Sequence, residues 1–238
     1  MKVLITICGR GGSKGIPGKN IREINGKPLI AYSIAMSKKV QTIWNADLAL
    51  STDSDDIKAA AAQFGLPTTY RRPAEFATDK AGKIDVLRDV LLFTEKQNTT
   101  AYDYLLDLDI TSPLRTLEDI QEAFAQLEKQ EDALNIFSVS PANRNPYFNM
   151  VEKTDSGFVK LVKDGSLFKS RQEAPEVYDM NASFYIYRRQ FFTDGYQGAI
   201  TPKSLAYVMR HVCFDLDHPI DFTMMELLMK NNLLEIDL

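Results

Sequence analysis

Cysteine, histidine and tryptophan are scarce in this chain of 238 residues: two, two and one respectively. Cys8 and Cys213 lie in apolar runs, without Cys or His partners at ligand spacing, which excludes the common zinc sites and a disulfide framework. Two buried thiols in a reducing compartment are expected instead. His211 and His218 offer no ligand pair, and His211, in an apolar run, is expected to be a hydrogen-bonded interior histidine. No apolar stretch approaches the ~20 residues needed to cross a bilayer. The N-terminus runs straight into a predicted strand, so no signal peptide is expected and the expected location is the cytoplasm. Positive charge is not in excess either: 28 Lys and Arg against 32 Asp and Glu leave a net charge of −4. That balance argues against nucleic acid or an anionic membrane as the main partner.

What is present is ordinary for a soluble globular protein, with 45% hydrophobic and 25% charged residues and length enough for one large domain. Short apolar strands alternate with helical patterns, the signature of a mainly parallel α/β sheet. Strands are predicted at Lys2–Cys8, Asp47–Ser51, Tyr104–Leu108 and Leu134–Val139. Helices are predicted at Leu29–Lys39, Asp55–Phe64, Ile84–Lys96 and Thr116–Gln130, the last opening on a near capping box of Thr116 and Asp119. From about Pro141 the pattern turns antiparallel, with strands expected at Tyr147–Glu152, Gly157–Val162, Ser183–Arg188 and Ala206–Phe214. A final helix is expected over Ile220–Lys230. The reading is one α/β domain over 1–238 with a β-rich inserted sub-region near 141–182.

The densest chemistry follows the first strand: Cys8-Gly9-Arg10-Gly11-Gly12-Ser13-Lys14-Gly15-Ile16-Pro17-Gly18-Lys19-Asn20. Glycines let backbone N–H groups face an anion, and Arg10, Lys14 and Lys19 add charge that suits a polyphosphate. Spacing excludes a P-loop, because Ser13 stands where its first Gly belongs and Asn20 where its hydroxyl belongs. The dinucleotide fingerprint fails as well, since its third Gly would fall on Lys14. A plain strand-to-helix turn with solvated lysines would not need this density of Gly and cation.

Four further clusters stand out. Arg71-Arg72-Pro73-Ala74-Glu75, followed by Asp79, suits a phosphate or carboxylate clamp, or equally a surface loop whose arginines pair with Glu75 and Asp79. Asp107-Leu108-Asp109-Ile110-Thr111-Ser112-Pro113-Leu114-Arg115 ends a strand, where open α/β sheets bind ligands. In Asp215-Leu216-Asp217 the two carboxylates lie two residues apart, facing one way on a strand. They could share Mg²⁺ with substrate phosphates, or Asp217 could simply cap the last helix. A polar stretch, Ser170–Pro175 with Tyr178–Ser183, suits either substrate or a subunit contact.

Taken in order, Arg10-Gly-Gly-Ser13-Lys14-Gly15…Lys19-Asn20, Arg72-Pro-Ala-Glu75, Thr111-Ser-Pro-Leu-Arg115 and Asp215-x-Asp217 resemble the acylneuraminate cytidylyltransferases, the CMP-sialic acid synthetases, over nearly the whole chain. Arg144–Val151, Arg171–Pro175 and Tyr178–Ser183 are most similar to the bacterial branch that activates legionaminic acid. The resemblance implies a Rossmann-like nucleotidyltransferase fold with a mainly parallel sheet and a β-rich dimerisation insertion. It implies that Arg10, Gly11, Gly12, Ser13, Lys14, Lys19, Asn20, Arg72, Asp79 and Ala81 bind CTP, and that Asp215 and Asp217 hold Mg²⁺. Lys14, Lys19 and Asp217 would be catalytic, with Asp217 the candidate base. Asp109, Thr111, Ser112, Phe148, Arg171, Asp179 and Asn181 would contact the sugar acid, Arg171 across a homodimer interface.

Selective N-acetylneuraminate enzymes usually carry Gln where Asp109 stands, Arg-Pro-Asn at Asp179-Met180-Asn181, and a Lys near Phe148. Two cations fewer and two acids more turn the expectation to a deoxygenated diacetamido nonulosonate such as N,N′-diacetyllegionaminic acid. N-acetylneuraminic acid, the eight-carbon sugar acid of lipopolysaccharide, and a non-catalytic nucleotide-sensing module remain alternatives.

Overall fold

A computed structural model describes residues 1–12, 15–168, 170 and 172–238. In chain order the elements are β1 (Val3–Cys8), β2 (Glu23–Ile24), β3 (Lys27–Pro28), α1 (Leu29–Trp44), β4 (Asp47–Ser51), α2 (Asp55–Gln63), α3 (Lys83–Asn98), β5 (Tyr104–Leu108), α4 (Leu117–Lys129) and β6 (Asn135–Pro141). They continue with β7 (Val151–Lys153), β8 (Val159–Leu161), β9 (Tyr178–Arg188), α5 (Arg189–Thr193), β10 (Ser204–Val208) and α6 (Pro219–Lys230). Among the described residues a six-stranded sheet runs β10-β6-β9-β5-β1-β4. β1 is parallel to both β4 and β5, and β6 is parallel to β10. β9 lies antiparallel between β5 and β6. A mixed α/β fold with a mainly parallel sheet is the result.

Both sheet faces are covered, which is why β1 reads as an unbroken apolar run rather than an alternation. Val3, Ile5 and Ile7 pack with Ile30 and Ile34 of α1, Ile120 of α4 and Phe222 of α6. Leu4 and Leu105 pack on the opposite face with Leu87 and Leu91 of α3 and Phe191 of α5. Each such side chain contributes roughly 1.5–3 kcal/mol by leaving water.

Local chemistry sets the element ends. Thr116 and Asp119 form a complete capping box on α4, and Ser54 caps α2 by accepting from Ile57 N. α1 runs past the predicted Lys39 to Trp44, because Val40 still faces the core, and it ends where Asn45 takes φ 49°. The β2–β3 hairpin was not predicted; its signal was Asn25-Gly26, with φ 50° and 76°. The expected strand Tyr147–Glu152 begins only at Val151, because backbone N–H groups of Phe148, Asn149 and Met150 all turn back to the Asn145 carbonyl. It pairs as a short hairpin with β8. The expected strand Ala206–Phe214 stops at Val208, and residues 209–214 leave the sheet.

Topology places the site. Cys8, Ser51 and Leu108 all end at one edge of the sheet, and chain order reverses around β1, the usual position for a ligand crevice. β6 ends and β9 begins at that same edge, where Pro141 pairs with Tyr178. The segment between them therefore hangs from the edge that carries the crevice.

Candidate active site

A cavity of about 450 Å³ opens at this edge. The chain passes from β1 into the glycine-rich loop at Gly9, whose N–H donates to Ser51 O at 3.0 Å. A Cβ on Gly9 would lie 2.7 Å from Ile110 Cδ1 and 3.1 Å from Asn20 Nδ2, so the close approach of strand and loop fits glycine. Asn20 is buried and its Nδ2 donates to Arg10 O at 3.0 Å, closing the loop on itself. Gly11 N donates to Asp53 Oδ1 at 2.9 Å, while Gly12 is exposed with open space around it. Arg10 pairs with Asp79. Lys19 Nζ sits 2.8 Å from Asp217 Oδ1, joining the loop to the far end of the chain. Ser13, Lys14 and Arg171 lie outside the described residues.

Arg71 and Arg72 divide. Arg71 is exposed and pairs with Asp55 at 2.7 Å. Arg72 is buried, donates from Nε to Ser51 Oγ (3.0 Å) and from Nη2 to Ser51 O (2.8 Å), and lines the cavity. Ala81 and Asp79 border the same space, beside the apolar Phe76 and Val86.

Beyond β5, Asp109 Oδ1 accepts from Thr111 N (2.8 Å) and Thr111 Oγ1 (2.9 Å). Burial pushes the Asp109 carboxyl up, but the Lys83 ammonium and the Thr111 bonds outweigh it and hold the pKa below the ordinary range. Thr111 Oγ1 also reaches Asp215 Oδ1 at 3.3 Å. Burial, then the negative charges of Asp109 and Asp217, push Asp215 up to about 7. A carboxylate whose charge is opposed on those grounds is a ready partner for a cation. Among the described residues no group of three or more His, Cys, Asp or Glu forms a metal cluster. Two carboxylates nonetheless fit Mg²⁺, which takes one or two of them and completes its octahedron with water and phosphate oxygens.

One cation at the cavity floor escaped the sequence reading. Lys83 lies 2.9 Å from Asp107 Oδ2 and 3.3 Å from Asp109 Oδ2. Asp107 is fully buried and also accepts from Thr6 Oγ1 at 2.8 Å. The available signal was a lysine in the first turn of a helix, where the helix dipole disfavours a cation.

The expected sugar contacts are only partly together. Asp109 and Thr111 line the cavity. Ser112 is buried, with its Oγ 3.5 Å from both Cys213 Sγ and Phe214 O, and does not line the cavity. Asn181 is buried between Ser138 Oγ (2.6 Å) and Ser140 Oγ (2.9 Å). Phe148 is half-exposed in the turn before β7, and Asp179 borders a separate, apolar cavity with Phe137, Val139, Arg144 and Met180. Arg115 is an internal strut: its buried guanidinium donates to Ser33 Oγ (2.5 Å), Asp109 O (2.6 Å) and Ser183 O. His211 is tied to Asp119, as an interior histidine should be. Asp217 does not cap α6; the N-cap is His218, and Asp221 at N3 closes a capping box, accepting from His218 N (2.6 Å) and also from Asp217 N (2.9 Å).

Residues 4–237 match the cytidylyltransferase family model. The chain belongs to the cytidylyltransferase family. It is thus a nucleotidyltransferase, and curated relatives span almost all of it. Post-translational flagellin modification protein B of Campylobacter coli is 41% identical over 98% of this chain and 97% of that protein. CMP-N,N′-diacetyllegionaminic acid synthase of Campylobacter jejuni is 39% identical over 95% of this chain and 94% of that protein. A solved CMP:2-keto-3-deoxy-manno-octonic acid synthetase, complexed with CTP, shares the fold at a TM-score of 0.68 and 17% identity, covering 98% of this cytidylyltransferase and 100% of that chain.

Proposed function

We propose that this cytidylyltransferase transfers CMP from CTP to the anomeric 2-hydroxyl of a nonulosonic acid, N,N′-diacetyllegionaminic acid, and releases pyrophosphate. The new bond joins the sugar oxygen to the α-phosphorus, the bond to the β-phosphate oxygen breaks, and the hydroxyl proton passes to a base, for which Asp217 is the candidate. The observation that carries this reading is the Lys19–Asp217 contact, which joins the cationic loop to Asp217 in one cavity, with Asp215 beside it through Thr111. Arg10, Lys19 and Asn20, with Ser13 and Lys14, are assigned to the triphosphate, and Arg72, Asp79 and Ala81 to the rest of the nucleotide. Mg²⁺ at Asp215 and Asp217 would neutralise phosphate charge as the leaving group departs. The chain's own contribution is orientation and fixed charge.

For the sugar, support comes from the Campylobacter jejuni relative's name and from Asp109, an acceptor held ionised at the cavity floor and suited to the N–H or O–H of a neutral substituent. A homodimer formed through the insertion is proposed to bring Phe148, Arg171 and Asp179 toward a partner's cavity. Exposed Phe158 (77%), Leu167 (84%) and Ile200 (70%) on the insertion and its neighbour support an apolar interface. With CTP as substrate, the enzyme is assigned to the cytoplasm.

Pyrophosphate release from CTP and Mg²⁺ is to be compared across N,N′-diacetyllegionaminic acid, N-acetylneuraminic acid and the eight-carbon sugar acid. The first should be used best; a preference for either other acid overturns the sugar assignment. Tight CTP binding without pyrophosphate from any acid would mark a nucleotide-sensing module. Asp217→Asn should keep CTP binding and abolish turnover, and near-normal turnover with Mg²⁺ would overturn the metal assignment.

A further inference from the structure

The segment that delivers Asp215 and Asp217 has little backbone support. Met209 N donates to Val139 O at 2.8 Å, and the next backbone bond to the body of the protein is Leu216 N to Thr111 O, also 2.8 Å, among the described residues. Side chains bridge the interval. Thr111 meets Asp215 at 3.3 Å, Ser112 meets Cys213 and Phe214 at 3.5 Å, and His211 Nε2 meets Asp119 Oδ2 at 2.8 Å. As one segment ascends from 111 through the loop into the first turn of α4 at 119, the other descends from 215 to 211, so the irregular 209–217 segment runs antiparallel to it.

The His211 link differs in kind from the other two, which sit near the outer limit of hydrogen bonding. Its imidazole and carboxylate are 10% and 5% exposed. The anchor does not yield, because Asp119 Oδ2 also accepts Thr116 N and Thr116 Oγ1 at 2.7 Å each, as the cap of α4. His211 Nδ1 lies 3.0 Å from Val212 O, so both ring nitrogens face acceptors and the doubly protonated ring satisfies them. Glu235, from the C-terminal segment, shares the cavity beside the ring. Glu122 is engaged by Arg210 at 2.8 Å and by Tyr207 at 2.9 Å, and Tyr207 also reaches Asp119.

We propose that His211 is a positioning residue for the metal-binding carboxylates: its bond to Asp119 pins the middle of residues 209–217 to α4 and fixes Asp215 and Asp217 before the cation arrives. This rests on the metal reading above. Without the pin, the segment pays the ordering entropy when metal binds. Outer contacts that orient metal ligands are worth 10–100-fold in affinity.

The test uses the full chain with His211→Leu, His211→Gln and Asp119→Asn. Mn²⁺ affinity is read by electron paramagnetic resonance with a non-hydrolysable CTP analogue bound, alongside the Mg²⁺ concentration for half-maximal turnover and metal-free CTP affinity. His211→Leu should weaken Mn²⁺ binding and raise the Mg²⁺ requirement by about tenfold, with metal-free CTP affinity changed less than about twofold. His211→Gln, whose amide replaces Nε2, should recover most of the loss, and Asp119→Asn, which keeps an acceptor for the cap, should shift both metal readouts in the same direction. Wild-type Mn²⁺ affinity in His211→Leu overturns the proposal, as does an equal loss of metal-free CTP affinity. If instead the wild type binds no Mn²⁺ and Asp215→Asn and Asp217→Asn leave turnover intact, the metal reading itself fails, and this proposal with it.

Discussion

Lys83→Met isolates the role of the buried charge beneath the cavity. Asp107 is fully buried in β5, and its Oδ2 has Lys83, 2.9 Å away, as its counter-charge. Deleting one member of a buried pair costs about 3–5 kcal/mol because the other charge is left uncompensated. Lys83 retains 38% side-chain exposure toward the cavity, so solvent screens part of that cost, leaving roughly 2–3 kcal/mol. In a chain of this size each kcal/mol moves Tm by about 2–4 °C, so Tm should fall by about 4–12 °C. The double variant Lys83→Met/Asp107→Asn removes both charges and keeps an acceptor for Thr6, and should regain most of the Tm. Turnover should stay low in both, because the ammonium is missing from the cavity floor. Differential scanning fluorimetry and pyrophosphate release measure the two effects separately. A single variant with unchanged Tm, or a double variant no more stable than the single, refutes the counter-ion argument.

The His211–Asp119 pair should make stability depend on pH. Burial alone would lower the histidine pKa, but the Asp119 hydrogen bond and charge hold it above its ordinary 6.5, so the pair's stabilisation is full below 6.5 and is lost as pH rises through the folded value. Thermal unfolding from pH 6 to 9 should show that decline in the wild type and a flatter course in His211→Gln; parallel curves refute it. Asp119 lies below 3.8 despite burial, through His211 and Thr116, and its contribution should disappear as pH falls below 3.8. Arg115→Lys cannot bond Ser33, Asp109 and Ser183 together, and should cost about 2–3 kcal/mol in denaturant unfolding. Phe158→Glu with Leu167→Glu should give monomers by light scattering without lowering the unfolding cooperativity of the sheet; a persistent dimer refutes the interface.

Local rules made much of the fold readable. The four buried strands announce themselves as apolar runs, and Thr116 with Asp119 announces the start of α4. Residues 209–214 misled because Val212, Cys213 and Phe214 are good strand formers, whereas Cys213 and Phe214 meet the Ser112 hydroxyl of a distant loop rather than a neighbouring strand. Nothing local places β9 between β5 and β6, since that order rests on pairings between remote segments. The same applies to the site. Arg10, Lys19 and Asn20 were legible as a phosphate loop, and Asp215 with Asp217 as a repeat of acids. Lys83 was not, because its role exists only once α3 lies across the end of β5. Phe148 and Asp179 were grouped with the sugar by resemblance, yet a single chain holds them away from the nucleotide cavity.

Pro141 and Tyr178, the last residue of β6 and the first of β9, are cross-strand partners. The segment between them is thus a loop closed at its neck by the sheet, and the sheet does not register what the tip contains. Altering the tip's length costs the framework only about 0.6 kcal/mol per doubling. Grafting residues 142–177 from a related enzyme should therefore leave the six-stranded sheet intact, and thermal unfolding of the graft checks it.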